Sequence, residues 1–269
     1  MHVVEGSPPT GVRRMLHSAR RPLRSARRIE TRARWALEDR RLAREQRRVE
    51  LGRAHRRWRG NSASENRARW DGWDWSAAGE EWTASPEWKQ ALIEDVLVRW
   101  IPRDSVVLEI GPGAGRWTEQ LLALASRLVV VDVSDRPLEL CRRRFAGASN
   151  VEYLRCGGSD LAPVADASIE AVWSFDVLVH VAPTDQASYL GEIARVLAPG
   201  GVAVLHHADG RNRGLLPSRQ GWRAPMSREL FAALARERGL QVECQFDSWG
   251  PAGCYDLGAF ADAITVCRR

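Results

Sequence analysis

Three glycines and two acids between positions 109 and 132 have the types and the spacing of a nucleoside-binding turn. Gly111, Gly113 and Gly115 alternate along a tight turn, where the lack of side chains lets the backbone approach a ligand closely. Glu109 lies two residues before the first glycine, and Asp132 ends the apolar run that follows. An acid at that second position can bind the hydroxyls of a ribose. The pattern therefore predicts a nucleoside pocket, with Glu109 orienting the turn.

Two strands and a helix are needed to position this turn. The apolar run 106–110 precedes the glycines, apolar residues at helical spacing follow them, and the β-branched run 128–131 leads to Asp132. Strand, turn, helix and strand in this order form the first unit of a parallel α/β sheet. The dinucleotide fingerprint requires a third glycine where Arg116 stands, so a dehydrogenase is disfavoured.

Further strands and helices alternate along the rest of the chain. Strands are predicted at 151–155, 168–175, 202–205, 240–246 and 259–267, and helices at 136–145, 189–197 and 226–237. The GxGxG turn, the acid after the second strand and the stretch IARVLAPGGVAVLHH resemble class I S-adenosylmethionine-dependent methyltransferases. The resemblance implies an α/β fold with a Rossmann-like seven-stranded sheet, mostly parallel with an antiparallel last strand, and helices on both faces. It also implies S-adenosyl-L-methionine as the cofactor. The stretch SFDVLVH and the tryptophan-rich segment resemble bacterial methyltransferases of glycan or secondary-metabolite biosynthesis.

The resemblance implies that six residues bind the cofactor. They are Glu109, Gly111, Gly113, Asp132, Asp160 and Phe175. The glycine backbone is expected along the methionine portion and the ribose, and Asp132 on the ribose hydroxyls, with helix capping as the alternative for Asp132. Asp160 is a substitute for the acid that bonds the adenine amino group, which such methyltransferases place nearer Gly157.

Acidic and imidazole side chains at the ends of the fourth and fifth strands are the candidates for catalysis. Methyl transfer is an in-line displacement, and a hydroxyl acceptor must also lose a proton. Asp176, His180 and His207 are predicted to be catalytic, because these strand ends share one crevice and imidazole titrates near neutrality. Successive strand residues face opposite sides, so one of His206 and His207 is expected to reach the pocket. No metal site is predicted, although Asp176, His207 and Asp209 could hold a divalent ion.

Three regions of different composition divide the chain. Residues 1–60 are basic and arginine-rich, residues 61–104 contain a tryptophan cluster, and residues 105–269 carry the sheet pattern. We therefore expect a helical or partly disordered extension, a helical cap and a cofactor-binding domain. One or two rings of the cap are expected to line the ligand cleft, from the set Trp70, Trp73, Trp75, Trp82, Trp88 and Trp100.

The net charge of +6 is concentrated near the N-terminus. A basic segment at 12–59 could bind an acidic protein, an anionic membrane surface or a polyanionic substrate. The alternative is a solvated basic helix without a binding role. No helix-turn-helix, zinc or RNA-binding motif accompanies the charge, so nucleic acid is disfavoured. Five cysteines without metal spacing fit the cytoplasm. No apolar run in the sequence is long enough to span a bilayer.

The combined prediction is an S-adenosylmethionine-dependent O-methyltransferase that acts on a small-molecule or glycan hydroxyl with a histidine base. Two alternative functions are an N- or C-methyltransferase of a natural product and a non-catalytic scaffold that acts through the basic segment. A homodimer also stays open. The loop 209–225 suits an anionic or carbohydrate acceptor, because it carries Arg211, Arg213, Arg219, Trp222 and Arg223.

Overall fold

Seven strands form a single mixed sheet in the computed structural model. They are β1 Val106–Ile110, β2 Arg127–Asp132, β3 Val151–Arg155, β4 Ile169–Ser174, β5 Leu197–Ala208, β6 Gln241–Phe246 and β9 Asp262–Arg268, and β7 Ser248–Trp249 with β8 Tyr255–Asp256 makes a separate hairpin. The order across the sheet is β3-β2-β1-β4-β5-β9-β6. The first five strands pair in parallel, whereas β9 is antiparallel to both β5 and β6. This confirms the predicted Rossmann-like sheet.

Helices precede the first strand and also lie in connections between later strands. They are α1 Ala63–Asp71, α2 Pro86–Leu92, α3 Thr118–Leu122, α4 Asp135–Arg144, α5 Pro183–Val196 and α6 Arg228–Glu237. A π-helical turn at Ile93–Leu97 and one further turn at Val98–Trp100 extend α2. Short 3-10 turns occur at Glu80–Trp82, Leu178–His180 and Pro251–Gly253. At the start of α2, Ser85 Oγ accepts a hydrogen bond of 3.1 Å from Trp88 N, and Pro86 occupies the first turn, as its fixed φ favours.

Alternate residues of each central strand face two different cores. Leu108 packs with Phe231 of α6 in one hydrophobic cluster, whereas its neighbour Val107 packs with Leu92 and Trp117 in the other. Successive side chains of a strand point to opposite faces, so a strand with helices on both sides needs apolar residues throughout. The uninterrupted run from Leu128 to Val131 in β2 is buried for this reason.

The strand order reverses direction around β1. Because β1 lies between β2 and β4, the chain leaves β1 to build one side of the sheet and later returns to build the other. In open α/β sheets, ligands bind outside the carboxyl ends of the strands at such a reversal point. The glycine turn follows β1, Asp132 ends β2, and Asp176 follows β4, so all of them meet at this edge.

The structure describes residues 36–37, 39–54, 62–210, 223–257 and 262–269. The chain divides into two compact units, residues 1–48 and 49–269. In the first unit, the described residues 39–48 are helical. Most of the predicted basic segment at 12–59 and most of the predicted acceptor loop, including Arg211, Arg213, Arg219 and Trp222, lie outside the described residues. Among the helices that the structure does describe, we find none with the length and apolarity of a membrane span.

Candidate functional site

An open cavity of about 1160 Å³, counting the space at its mouth, lies at the carboxyl ends of β1, β2 and β4. Six of the nine predicted site residues line it, namely Gly111, Gly113, Asp132, Phe175, Asp176 and His180. The other three, Glu109, Asp160 and His207, do not. The sheet edge therefore brings together most of the residues that the sequence singled out.

The floor of the cavity is the glycine turn. Gly111 has φ of 71° and Gly113 has φ of 56°, values in the left-handed region that glycine adopts without strain. A Cβ at Gly111 would lie 2.4 Å from Val177 Cγ2, and one at Gly113 would lie 2.9 Å from the Trp75 ring. The backbone conformation and the close packing both require glycine at these two positions, which line the cavity.

Asp132 is the buried carboxylate of the cavity. It is 8% exposed, and its Oδ1 accepts a hydrogen bond of 2.8 Å from Ser134 N. Burial raises the pKa of Asp132 to about 7, and the negative charges of Asp71 and Asp135 add to this, against the stabilising hydrogen bond. A carboxylate so poorly solvated gains from any hydroxyl donor that enters the cavity. The position suits a ribose diol.

The first part of the cap, residues 62–82, is joined by polar contacts to the residues that follow β2. Ser134 Oγ donates to Asp71 Oδ1 at 2.5 Å, and Arg67 Nη2 lies 3.0 Å from Asp135 Oδ2. The backbone N–H of the same Ser134 donates to Asp132, the candidate for ribose binding. Ser134 therefore contacts both the cap and Asp132. Movement of the cap would therefore disturb Asp132.

Three tryptophans of the cap line the cavity, one more ring than the sequence suggested at most. The ring centroids of Trp70 and Trp75 are 6.0 Å apart, those of Trp70 and Trp82 6.3 Å, and those of Trp75 and Trp82 6.0 Å. Trp70 also meets the His180 ring edge to face, with centroids 5.5 Å apart. The three rings give this side of the cavity an apolar wall.

A chain of alternating charges runs along the ends of β4, β5 and β9. Arg116 Nη2 lies 2.5 Å from Asp176 Oδ2, and Asp176 Oδ1 lies 3.2 Å from His206 Nδ1. On its other side, His206 Nε2 lies 3.3 Å from Asp262 Oδ2, which is 2.8 Å from Arg223 Nε. Burial opposes the charge on Asp176, but Arg116 and His206 hold its pKa well below the usual range. Burial likewise opposes the charge on His206, yet the two carboxylates raise its pKa.

The three histidines that the structure describes have different surroundings. His180 lines the cavity, and burial lowers its pKa to about 3, so its imidazole is neutral at pH 7. His207 is turned away from the cavity, contrary to the predicted position: its ring stacks on Phe231 with centroids 3.7 Å apart, and Nε2 is 2.7 Å from Thr265 Oγ1. His206 takes the other face of β5 and contacts Asp176. His206 and His207 do point to opposite faces of the sheet, as predicted, but His206 is the one that lies on the side of the site.

Two predicted cofactor residues lie behind the cavity wall. Thr118 Oγ1 donates to Glu109 Oε2 at 2.7 Å, and burial raises the pKa of Glu109 to about 8. Glu109 thus ties the glycine turn to the start of α3 without reaching the cavity. Asp160 accepts a hydrogen bond of 3.1 Å from Ala162 N and folds over Gly157, so it faces its own loop. The same loop instead presents Cys156 to the cavity.

The alternative metal site does not assemble. Asp176 is engaged by Arg116 and His206, whereas Asp209 accepts from Arg228 Nε at 2.7 Å. His207 contacts Thr265, on the opposite face of β5 from His206. Within the described ranges, no three or more histidine, cysteine, aspartate or glutamate side chains are grouped so that they could hold a metal ion.

Comparison with known proteins agrees with this geometry. Residues 108–205 match the family model described as a methyltransferase domain. In this region the chain is similar to S-adenosylmethionine-dependent methyltransferases. It is 30% identical to a probable S-adenosylmethionine-dependent methyltransferase of Mycolicibacterium smegmatis, over 57% of this chain and 58% of the relative. It is 32% identical to the dimethylglycine N-methyltransferase of Parasynechococcus marenigrum, over 50% of this chain and 49% of the relative.

The fold has relatives among solved structures. An S-adenosylmethionine-dependent methyltransferase from Aquifex aeolicus superposes with a TM-score of 0.55 and 17% identity, over 73% of this chain and 98% of that one. Identity this low supports the shared fold alone. The chain spans only about half the length of the curated relatives that it matches.

The cavity fits S-adenosylmethionine, the cofactor that a relative of this chain is named for. Gly111 and Gly113 line the cavity without side chains, and Asp132 offers a buried carboxylate beside them. Arg116, which is 4% exposed and lines the same cavity, has a buried Nη1 for which the described residues provide no hydrogen-bond acceptor. These groups would hold the nucleoside at Asp132 and an anionic group at Arg116.

Several residues of the site escaped the sequence reasoning. The sequence pattern assigns Arg116 no binding role, although Arg116 directly follows the last glycine of the turn. Asn66 and Tyr189 line the cavity from α1 and α5, and neither has a local pattern that marks it. Asp262 reaches His206 only because β9 inserts beside β5, a pairing that no local sequence feature encodes.

Proposed function

We propose that the protein transfers a methyl group from S-adenosylmethionine to a hydroxyl group of a small molecule or glycan, with His180 as the base. One observation supports this most: a neutral imidazole and a buried carboxylate line the same cavity, at the end of the sheet where the glycine turn lies. The carboxylate of Asp132 suits the ribose, and the imidazole of His180 suits the acceptor.

Each part of the site has a physical task in this reaction. S-adenosylmethionine supplies an electrophilic methyl group on a sulfonium. The glycine turn and Asp132 would hold the cofactor in place for an in-line displacement, in which the methyl carbon–sulfur bond breaks and S-adenosylhomocysteine leaves. The rings of Trp70, Trp75 and Trp82 exclude water from the acceptor side. His180 accepts the hydroxyl proton as the new carbon–oxygen bond forms.

A histidine with a pKa of about 3 is a weak base, but this reaction does not need a strong one. As the hydroxyl oxygen attacks the methyl carbon, it becomes a strongly acidic oxonium. The proton therefore moves to a neutral imidazole late in the step, although the same imidazole could not ionise the free hydroxyl. What His180 must supply is an unprotonated nitrogen within reach, and burial supplies this at neutral pH.

A second candidate is methylation of nitrogen or carbon in a natural product. A relative of this chain is named for N-methylation of dimethylglycine. A tertiary amine acceptor carries no proton to remove once it is neutral, so His180 would have no basic role. The effect of replacing His180 therefore separates a hydroxyl acceptor from a tertiary amine acceptor.

The regions outside the sheet receive roles that rest on composition. We assign residues 1–60 to docking on an acidic protein or anionic surface, residues 61–104 to the cap, and residues 105–269 to cofactor binding. The competing role is a non-catalytic scaffold that acts through residues 12–59. Loss of partner binding without measurable methyl transfer would favour that scaffold.

Methyl transfer from labelled S-adenosylmethionine to panels of sugars, phenols and amines tests the proposal. For a hydroxyl acceptor, His180→Ala should lower kcat roughly 100-fold or more, which is the usual contribution of a general base. Affinity for S-adenosylhomocysteine should stay within about threefold, because His180 lies on the acceptor side. Unchanged turnover would remove the base from the mechanism, and methylation confined to amines would favour the second candidate.

A further inference from the structure

Arg223 lines the cavity beside His180 and has no task in the reaction as described so far. Ala224 N donates to Val179 O at 2.7 Å, so the residue that follows Arg223 and the residue that precedes His180 are joined backbone to backbone. Burial lowers the pKa of His180 to about 3, and the positive charge of Arg223 lowers it further. Since a guanidinium does not lose its proton, a permanent positive charge lies near the proposed base.

A buried carboxylate holds this arginine at the cavity wall. Arg223 Nε lies 2.8 Å from Asp262 Oδ2, and the Asp262 side chain is 2% exposed. Asp262 is not among the residues that line the cavity, so it contacts Arg223 from the interior of the protein. The Arg223 side chain itself is 21% exposed. The ion pair therefore restricts the guanidinium without removing it from the cavity.

The carboxylate of Asp262 does not belong to Arg223 alone. The same Oδ2 lies 3.3 Å from His206 Nε2, and His206 in turn contacts Asp176. Each carboxylate of this chain of charges is thus shared between two basic groups. In a poorly hydrated site, a guanidinium that shares its counter-charge gains from a further anion, because hydrogen bonds between charged groups are the strong ones.

Apolar surface adjoins the same histidine. Trp70 meets the His180 ring edge to face with centroids 5.5 Å apart, and Trp75 and Trp82 line the cavity with it. Indole rings offer a large apolar face against which another ring can pack. An arginine and a tryptophan wall that both adjoin His180 suit a ligand with a charged end and a ring-shaped body.

We propose that Arg223 binds an anionic group, a carboxylate or a phosphate, on a ring-shaped methyl acceptor and thereby places the acceptor hydroxyl at His180. This inference rests on the proposed function, since it assumes that His180 marks the acceptor side of the cavity. Arg223 is then a specificity-determining residue, which selects charged acceptors over neutral ones and holds the hydroxyl in position for transfer. The bound anion would also offset the positive charge that weakens His180 as a base.

Calorimetry of the whole chain saturated with S-adenosylhomocysteine tests the assignment without any turnover. Three pairs of probes differ in charge: protocatechuate and its amide, glucuronate and glucuronamide, and glucose-6-phosphate and glucose. The wild type should bind the charged member of at least one pair roughly 10- to 100-fold more tightly than the neutral member, the range expected for hydrogen bonds to a charged group. The pair that binds distinguishes an aromatic acceptor from a sugar, and a carboxylate from a phosphate.

Three arginine variants assign the preference to its residue. Arg223→Gln should reduce the preference for the charged probe to within about threefold of unity, whereas Arg223→Lys, which keeps the positive charge, should retain most of it. Arg127→Gln is the matched control and should keep the wild-type ratio, because Arg127 is 55% exposed, pairs with Glu152 and is not among the residues that line the cavity. Affinity for S-adenosylhomocysteine should stay within about threefold in every variant, since Arg223 lies on the acceptor side.

A further variant guards against loss of structure. Removing Arg223 takes a partner from the buried carboxylate of Asp262, and such a change can destabilise the fold. If Arg223→Gln does not bind S-adenosylhomocysteine, the double variant Arg223→Gln/Asp262→Asn, which neutralises both groups, replaces it. Loss of the charge preference in that variant supports the proposal, and the wild-type ratio overturns it. If the double variant also fails to bind S-adenosylhomocysteine, the ratio measured for the wild type decides alone.

The outcomes distinguish this proposal from the proposed function. A wild type that binds none of these probes, or that binds the neutral members as tightly as the charged ones, contradicts an anionic acceptor. A preference for the charged probe that survives Arg223→Gln places the anion at another group and overturns the role of Arg223. Neither result touches methyl transfer to hydroxyls, which the turnover panel measures separately. A chain that binds S-adenosylhomocysteine but methylates no sugar or phenol would instead contradict the proposed function.

Discussion

Replacing Asp132 with asparagine should stabilise the ligand-free protein and weaken cofactor binding at the same time. Asparagine keeps the size of the side chain and an oxygen that can accept from Ser134 N, which donates to Asp132 at 2.8 Å. It removes only the charge. The two predicted effects have opposite signs, so an unspecific loss of structure cannot imitate them.

The size of the stability effect follows from the pKa of Asp132. Burial raises that pKa from 3.8 to about 7 in the folded protein. The folded state therefore prefers the protonated acid, and stability is lost as the pH rises toward and through the folded pKa. Each unit of pKa difference corresponds to about 1.4 kcal/mol, which gives an upper value of about 4 kcal/mol above pH 8. Asp132→Asn should recover part of this at pH 8 and nothing at pH 4.

Urea unfolding at pH 4, 6 and 8 measures the first effect, and calorimetry with S-adenosylhomocysteine measures the second. Loss of the charged hydrogen bonds to the ribose should weaken binding roughly 10- to 100-fold. Asp166→Asn is the matched control, because its carboxylate is 76% exposed and Asp166 does not line the cavity. A variant that is less stable at pH 8, or that binds the ligand as tightly as the wild type, would refute the role given to Asp132.

Three other substitutions or truncations have defined outcomes. Gly113→Ala should destabilise the fold by about 1–3 kcal/mol in urea and weaken nucleoside binding, because φ is 56° and the new methyl group meets a tryptophan ring of the cap. Gly147→Ala, where nothing lies within 4 Å, is its control and should leave both unchanged; equal effects at the two sites would contradict the packing argument. His207→Ala should lower the thermal midpoint through lost core packing but retain kcat, whereas a selective loss of kcat would return His207 to the site. Removing residues 1–48 should leave nucleoside affinity within about threefold, since every residue that lines the cavity lies after them, and a larger loss would place part of the site in the first unit.

The sheet could be predicted from the sequence because its signals are local. Uninterrupted β-branched runs and glycine turns marked β1 at Val106–Ile110 and β3 at Val151–Arg155 with their observed bounds. The sequence predicts β5 only at 202–205, because the Pro-Gly-Gly sequence before these residues suggests a turn. In the structure, β5 runs from Leu197 to Ala208 and includes that sequence. Pairing with β9 extends the strand to Ala208, and the sequence of β5 alone does not record that partner.

The site was predicted less completely because it depends on which face each side chain takes. Gly111, Gly113 and Asp132 were found, since a turn and a strand end fix their positions. To choose between His206 and His207, one must know which face of the sheet each side chain of β5 takes. The sequence shows that neighbouring side chains point to opposite faces, but it does not show which of the two faces the cavity. The partner of Arg116 lies 60 residues away, so only the folded sheet brings the pair together.

The central claim is that this cavity binds S-adenosylmethionine and not a dinucleotide. Calorimetry of the whole chain with S-adenosylhomocysteine and NAD, in separate titrations under one buffer condition, tests it most directly. We expect saturable binding of S-adenosylhomocysteine with one site per chain and no heat of binding for NAD. Binding of NAD with no response to S-adenosylhomocysteine would contradict the cofactor assignment and the proposals built on it.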